Sequence, residues 1–369
     1  MLKAIDLFCG AGGLALGLRQ AGFSLVASLD DDPCAAKTYR ANLGTHIIET
    51  GIDKISPDHL LEFAGLRGND CDLLAGGPPC QGFSVQRRGD DNDQRNSLVL
   101  KFIRFVEVIR PRFFLIENVR GLMSKRGRPF FEQLMSRAQM AGYRLSVSKL
   151  NAVDYGVPQE RIRVFMVGQL IDNACFVPFQ FPPPSHRAEN YRTVRSAIGD
   201  LPRPPDDGSP HPRFPLHYRE TRLSKTNLER FRHIPEGGGR DDLPEHLQLR
   251  CHTDNPSHRH KDVYGRMWWD RPAPTLTARF DSFSRGRFGH PEDDRTITLR
   301  EGARLQTFPD DFHFYGNREA VARQIGNAVP PRLAEVIGEA IADCLKPSHQ
   351  AKKTRFDGAE GQLPLPGLG

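Results

Sequence analysis

Short apolar runs alternate with amphipathic segments over the first 170 residues of the chain. Helical spacing of apolar residues occurs in LALGLRQA, which Gly22 ends, in CAAKTYRANL, which Asp32 and Pro33 cap, and between Ser97 and Pro111. Buried strands are predicted for LKAIDLF, SLVASLD, CDLLAG, RFFLIEN, RLSVSKLNA and RIRVFMVGQL. Strands that alternate with helices predict an α/β fold with a doubly wound, mainly parallel sheet.

The pattern changes near residue 182. Over 182–295 Pro and Gly interrupt the chain, as in LPRPPDDGSP, and the apolar periodicity is lost, which predicts a smaller, irregular domain. Order returns after Arg295, where TITLREGARLQTF predicts a strand or turn that leads into a helix and AVPPRLAEVIGEAI predicts another helix. We therefore expect ordered segments over 1–181 and 296–345, and a mobile tail over 346–369.

Composition narrows the class of protein. The 369 residues are 38% hydrophobic and 26% charged, which is typical of a globular protein, and no apolar run approaches the length of a membrane span. We expect a cytoplasmic protein that does not enter membranes. The seven cysteines are scattered without a C-x-x-C pair, so reduced thiols are expected and not a disulfide framework or a zinc ribbon. The net charge of +6 fits a nucleic acid partner without establishing one.

A glycine-rich turn between the first strand and the first helix is a candidate ligand site. The segment Asp6–Ala15 reads DLFCGAGGLA, and its glycines let the backbone approach a ligand that the helix N-terminus faces. Asp30 ends the next strand, where a carboxylate can bind ribose hydroxyls. Gly10-x-Gly12-x-x-Ala15 also satisfies a loose dinucleotide fingerprint, so NAD, a methyl donor and a merely tight turn all stay open.

Two further strands end in chemically useful side chains. Cys80 follows CDLLAG within GGPPCQGFS, and Glu117 ends RFFLIEN. Ligands of open α/β sheets bind at the carboxyl ends of the strands, so both side chains would face one pocket. Taken alone, Cys80 could be an incidental thiol in a turn, and Glu117 could be a solvated residue at the end of a strand. Together they suggest covalent catalysis by the thiol with the carboxyl group as a general acid. This pair suits methylation of cytosine, because a thiolate added at C6 activates C5 while a carboxyl group stabilises charge at N3. The base must leave the duplex to be reached.

The motifs closely resemble those of the DNA (cytosine-5) methyltransferase family. DLFCGAGG, PPCQGFS, IENV, QERIR, REGARLQ and GNAVP follow one another in that family's order and approximate spacing. The resemblance implies a Rossmann-like, S-adenosylmethionine-dependent methyltransferase sheet. Its C-terminal helix, at about 330–344, would pack back beside the N-terminal part, so that 1–181 and 296–345 form the catalytic domain and 182–295 the target-recognition domain.

The resemblance also implies roles for single residues. Cys80 would be the nucleophile and Glu117 the partner of N3. Arg163 would contact the base or orient Glu117, and Arg161 would assist near the target phosphate. The implied cofactor contacts are Asp6, Phe8, Gly10, Gly12, Gly13, Leu14, Asp30, Asp31, Ile52, Asp53, Pro79, Asn327 and Val329. The implied substrate contacts are Gln81, Ser84, Thr275 and Leu276, and no metal is expected.

The chain departs from the family at Gly51, where the family often has an Asp that binds the adenine amino group. Asp53 or a backbone carbonyl would replace that contact. In the recognition domain the Thr275–Leu276 pair resembles the family's Thr-Leu pair. Arginines nearby, at 279, 285 and 287, can read guanine and contact phosphates. Trp268 and Trp269 are expected to belong to the core of that domain.

The expected partner is double-stranded DNA, and the protein is expected to be a monomer. The resemblance also allows for a restriction endonuclease that acts on the same DNA site. A tRNA cytosine-5 methyltransferase is the nearest alternative, but the Gly82-Phe83-Ser84 sequence after PPCQ favours DNA. Intact Cys80 and Glu117 argue against a catalytically silent DNA-binding relative. A nucleotide-dependent oxidoreductase is the remaining alternative.

Overall fold

The computed structural model describes residues 1–67, 69–79, 98–171, 177–220, 223–253 and 262–346. The strands of its sheet are β1 Leu2–Leu7, β2 Phe23–Asp30, β3 Ile47–Glu49, β4 Leu73–Gly76, β5 Phe113–Asn118, β6 Tyr143–Asn151 and β7 Ile162–Leu170. The helices are α1 Gly13–Gln20, α2 Pro33–Leu43, α3 Pro57–Phe63, α4 Leu98–Ile109, α5 Arg128–Met140, α6 Val194–Ile198, α7 Lys225–His233, α8 Arg250–Thr253, α9 Leu299–Leu305, α10 Arg318–Asn327 and α11 Pro331–Leu345.

The sheet confirms the predicted Rossmann-like α/β class. Its strand order is β3-β2-β1-β4-β5-β7-β6. The first five strands pair in parallel, whereas β7 is antiparallel to both β5 and β6. The chain runs outward from β1 to β3 on one side and from β4 to β6 on the other. The order therefore reverses between β1 and β4, which is where ligands bind in sheets of this kind.

Helices cover both faces of the sheet. On one face α3, α4 and α5 contribute to a core that includes Leu60, Phe102 and Leu134. On the other face α1 and α11 pack together, with Leu18 and Ile337 in a second core. The expected C-terminal helix thus lies against the first helix of the chain, although the two are far apart in sequence.

Residues 182–295 contain short helices, with strand-like pairing in the described part limited to isolated bridges. Phe231 and Phe283 stack with ring centroids 3.5 Å apart in a small core of this region. Because little backbone is paired in a sheet, arginine side chains bind carbonyl groups instead. Arg266 donates to the carbonyls of Phe231, Ile234 and His290. Among the described residues, no helix is long and apolar enough to cross a membrane.

Candidate active site

Three strand ends lie side by side where the strand order reverses. Leu7 of β1 is opposite Gly76 of β4, and Gly76 is opposite Ile116 of β5. A Cβ atom on Gly76 would lie 2.3 Å from the Leu7 carbonyl oxygen, so only glycine fits between these strands. The segments that follow the strands, which carry most of the predicted site residues, therefore leave the sheet next to one another.

The turn after β1 has the backbone shape that its glycines suggested. Phe8, Gly10 and Gly12 have φ angles of 61°, 54° and 94°, which lie in the left-handed region. A Cβ atom on Gly10 would meet nothing within 4 Å, so the backbone there borders open space. A Cβ atom on Gly13 would instead lie 2.5 Å from the Val329 carbonyl oxygen. The C-terminal GNAVP segment thus packs directly on the turn.

Asp30 joins the turn to the end of β2. Its Oδ2 accepts a hydrogen bond from the Gly10 amide at 2.7 Å, and its Oδ1 accepts one from the Asp32 amide at 2.9 Å. Burial raises the pKa of Asp30 to about 6, although the Asp32 and Gly10 amides oppose this shift. A carboxylate has about four lone-pair sites, and these two amides leave room for two donors. The open turn and this carboxylate fit the adenosine part of S-adenosylmethionine.

The other predicted cofactor residues differ in exposure. Phe8 and Pro79 are half-buried, whereas Asp31 and Asn327 are exposed on the surface. Leu14, Ile52 and Val329 are buried and shape the site through packing and backbone. Asp6 has no exposed surface, and its burial, with Asp30 nearby, raises its pKa well above the usual range. Both Asp6 carboxylate oxygens are buried without a hydrogen-bond partner among the described residues, and the cofactor contact of Asp6 stays a prediction.

The Gly51 region has two carboxylates near it. Asp53 forms an ion pair with Lys101 of α4. Asp31 Oδ2 lies 3.9 Å from the position of a Cβ atom on Gly51, with no other atom within 4 Å of that position. Asp31 thus points into the space that a side chain at residue 51 would enter.

Glu117 lies at the end of β5, beside the segment that leads to Cys80. Glu117 Oε2 is 3.2 Å from the position of a Cβ atom on Gly77, and the Asn118 side-chain amide donates to the Pro78 carbonyl at 3.0 Å. Arg163 Nε lies 2.9 Å from Glu117 Oε1, with side-chain exposures of 15% and 12%. This ion pair fixes the direction of the Glu117 carboxylate. Three predicted residues, Cys80, Gln81 and Ser84, lie outside the described residues.

Arg161 has a different place from the one expected. It is 1% exposed, and it donates to the carbonyls of Leu276 at 2.9 Å and Gly326 at 3.0 Å. A guanidinium held in this way cannot reach a phosphate in this conformation. The predicted phosphate contact is corrected to a bridge between two distant segments, at Leu276 and Gly326.

The Thr275–Leu276 pair is also held by the catalytic sheet. The Thr275 hydroxyl donates to the Glu160 carbonyl at 2.6 Å, and the Leu276 amide donates to Gln159 Oε1 at 2.9 Å. Leu276 is 0% exposed, so direct contact of its side chain with DNA is not supported. Thr275 is half-buried and stays a candidate.

Asn118, Gln159 and Gln306 lie within the sequence motifs, and the structure gives each of them a role that the sequence alone does not indicate. Each is buried and forms a side-chain hydrogen bond that joins two segments of the site. Their signal in the sequence is that a polar amide inside an apolar strand or helix needs a partner.

These features define a Rossmann-like enzyme that binds a nucleotide-type cofactor beside a strand-end carboxylate. The sequence pattern of C-5 cytosine-specific DNA methylases matches residues 2–343. The chain is 37% identical over 356 residues to the Type II methylase M.HgiDII of Herpetosiphon aurantiacus. The aligned region covers 95% of this chain and 98% of that protein. It is 36% identical over 344 residues to the Type II methyltransferase M1.HphI of Haemophilus parahaemolyticus, which covers 92% and 86%.

Among solved structures, a DNA modification methyltransferase encoded within an Escherichia coli prophage has a TM-score of 0.66 and 27% identity, covering 94% of this chain and 99% of that one. The chain belongs to the C-5 cytosine-specific DNA methylase family. It is an S-adenosylmethionine-dependent enzyme that transfers a methyl group to C5 of cytosine in DNA.

Proposed function

We propose that Cys80, Glu117 and Arg163 carry the methyl transfer. The observation behind this proposal is the 2.9 Å ion pair between Arg163 and Glu117, formed beside Gly77, three residues before Cys80. A carboxyl group fixed in direction at the end of a strand is suited to one defined hydrogen bond with a base placed outside the sheet.

In the proposed reaction, the Cys80 thiolate adds to C6 of the flipped cytosine, and the C5–C6 double bond opens. Glu117 holds a proton at N3, where the negative charge of the adduct develops, and Arg163 keeps the carboxyl group in place. S-Adenosylmethionine, when bound against the glycine turn and Asp30, supplies an electrophilic methyl group. C5 of the adduct would take that methyl group, with the thioether S-adenosylhomocysteine as leaving group. Passage of the C5 proton to water would then let the Cys80 thiolate leave, which restores the aromatic ring and the free enzyme.

The test compares Glu117→Gln with Glu132→Gln, which removes an exposed carboxylate of α5 that pairs with Arg128. Transfer of labelled methyl groups to DNA should fall about 100-fold or more in the first variant, as expected when a general acid is lost, and stay within twofold in the second. Cys80→Ala should abolish transfer. Full activity of Cys80→Ala would contradict the proposed mechanism, whereas transfer to tRNA in place of DNA would contradict DNA as the substrate.

We also propose that residues 182–295 read the DNA target, while 1–181 and 296–345 form the catalytic domain. The three arginines near the Thr275 segment differ in their availability. Arg279 is paired with Asp281 and Glu319, and Arg287 donates to three backbone carbonyls. Arg285 is exposed, and its only hydrogen bond to another described residue is the one from its backbone amide to the Ser282 carbonyl, which leaves its guanidinium group available. Arg285 is therefore the best candidate of the three for a contact with a guanine edge or a phosphate.

Trp268 and Trp269 are half-buried in this region. Trp269 packs against a core that includes Leu276, and the guanidinium groups of Arg271 and Arg287 lie 4.7 and 4.5 Å from the centre of the Trp268 ring. Both positions favour a packing role for the rings.

The names of the similar Type II enzymes support a role in restriction–modification, with one short DNA sequence as the target and an endonuclease for the same site. We further propose that the protein acts as a monomer on double-stranded DNA. Bisulfite sequencing of DNA from cells that express the protein would identify the target. Methylation scattered without a shared sequence would contradict this role. DNA binding should weaken steeply as salt is added, since phosphate contacts supply much of the affinity.

A further inference from the structure

The segment around Leu276 is held to the catalytic sheet by side chains from the QERIR motif. The Leu276 amide donates to Gln159 Oε1 at 2.9 Å, and its carbonyl accepts from Arg161 at 2.9 Å. Around it, the Glu160 amide donates to the Ala273 carbonyl, and the Thr275 hydroxyl donates to the Glu160 carbonyl. Both backbone groups of Leu276 are thus bound by side chains of residues 159–161, which we call the QER clamp.

The direction of the Gln159 amide is fixed from behind by Gln306. Gln306 Nε2 donates to the Ile325 carbonyl at 2.5 Å, so its Oε1 faces Gln159. Gln159 Nε2 donates to that Oε1 at 2.9 Å and to the Leu305 carbonyl at 3.3 Å. The acceptor atom of Gln159 is therefore turned toward the Leu276 amide. Both glutamines are fully buried, so neither hydrogen bond exchanges readily with water.

The clamp residues lie directly before β7, the strand that carries Arg163 and pairs with the strand of Glu117. Gln159, Arg161 and Arg163 alternate along the chain, and alternate residues of an extended segment share a face. Arg163 pairs with Glu117 at 2.9 Å. A shift of the Leu276 segment would therefore move Gln159 and Arg161. These residues lie four and two positions before Arg163, whose guanidinium group holds Glu117.

We propose that Gln159 is a positioning residue for target discrimination, which sets the recognition segment in register with the Glu117–Arg163 pair. This inference rests on the proposal that residues 182–295 read the DNA. A correct target sequence places the segment so that Glu117 faces the base. When the clamp is loosened, this link between reading and catalysis weakens, and cytosines in incorrect sequences are methylated more often.

The experiment compares Gln159→Met with Gln306→Met in the full-length enzyme. Each variant removes one amide of the same buried pair, so both should lower the thermal unfolding midpoint. Only Gln159→Met takes the acceptor away from Leu276. Mixed-sequence DNA is methylated at saturating S-adenosylmethionine, and bisulfite sequencing gives the fraction of methylated cytosines outside the wild-type target sequence.

We expect this off-target fraction to rise about tenfold in Gln159→Met, the scale of one buried hydrogen bond, and by a clearly smaller factor in Gln306→Met, which keeps the acceptor for the Leu276 amide but loses the group that orients it. Equal off-target fractions in the two variants, or an unchanged fraction in Gln159→Met, would overturn the inference. Arg285→Ala is measured in parallel. If Arg285→Ala changes the target preference but Gln159→Met does not, only the clamp proposal fails. If neither Arg285→Ala nor Gln159→Met changes the target preference, the proposed recognition role of residues 182–295 fails together with the clamp proposal.

Discussion

We predict that Asp30 makes the binding of S-adenosylmethionine depend on pH, in a direction that follows from the raised pKa of its carboxyl group. Burial raises its pKa to about 6, because the Asp32 and Gly10 amides compensate only part of the lost hydration. In the proposed site a ribose hydroxyl of S-adenosylmethionine would donate a hydrogen bond to the ionised Asp30 carboxylate. Acidification from pH 7.5 to pH 5 should therefore weaken the binding of S-adenosylmethionine, since the protonated form loses this acceptor.

The size of the effect follows from the ionised fraction. With a pKa of about 6, Asp30 is almost fully ionised at pH 7.5 and about one-tenth ionised at pH 5. The dissociation constant should rise about tenfold, which corresponds to about 1.4 kcal/mol.

Stability of the free protein changes in the opposite direction. The pKa of Asp30 is higher in the folded protein than in the unfolded chain. Protonation of Asp30 therefore adds to the free energy of unfolding; this contribution is fully present below the unfolded pKa and is lost as the pH rises through about 6. A shift of about two units sets an upper limit of about 3 kcal/mol for this contribution.

Titration calorimetry with S-adenosylmethionine at pH 5, 6 and 7.5 checks the first effect, and thermal unfolding of the free protein checks the second. Asp30→Asn should bind the cofactor more weakly at pH 7.5 and lose most of the pH dependence. Asp58→Asn, which changes an exposed carboxylate of α3, should behave as wild type. Cofactor affinity that is constant with pH, or an Asp30→Asn variant that keeps the tenfold change, would refute this account.

Two further predictions concern stability. Gly326→Ala should lower the free energy of unfolding by about 1–3 kcal/mol in urea, because the new Cβ atom would lie 2.1 Å from the Thr277 carbonyl oxygen. Gly51→Ala, with φ of −77° and no atom nearer than 3.9 Å, should stay within about 0.5 kcal/mol, and equal losses would contradict the steric reasoning. Glu301→Gln should cost up to about 3–5 kcal/mol at neutral pH, because it removes the carboxylate that binds two nitrogens of the buried Arg295 and leaves this guanidinium with the Asp293 carboxylate. A loss below 1 kcal/mol in urea unfolding would show that the pair adds little.

The central strands could be predicted because a strand covered by helices on both faces is apolar throughout. Two features of the sheet could not be predicted in this way. β3 has three residues, too few for a periodic pattern, and it is defined by its pairing with β2. The antiparallel direction of β7 depends on the connection after β6, which is a short 3-10 helix over Ala152–Tyr155 with a brief loop in place of a crossover helix.

The site residues divide along a similar line. The glycine turn, Asp30 and Glu117 could be placed at one edge because the carboxyl ends of parallel strands meet there. Arg161 could not be placed, since an arginine in a strand usually points to solvent. Its burial depends on carbonyl groups of Leu276 and Gly326, more than one hundred residues away in sequence. Contacts between segments this distant leave no periodic trace in either one.

The QER clamp suggests why one catalytic sheet can support different recognition regions. Gln159 and Arg161 bind Leu276 only through its amide and carbonyl, which every residue except proline provides. The side chains that make this attachment belong to the catalytic part of the chain. Changes of side chain around Leu276 therefore leave the clamp intact as long as the backbone path is kept. On the proposal that residues 182–295 read the DNA, the surface around Arg285 could change with the DNA target while Gln159 and Arg161 keep the Leu276 segment attached.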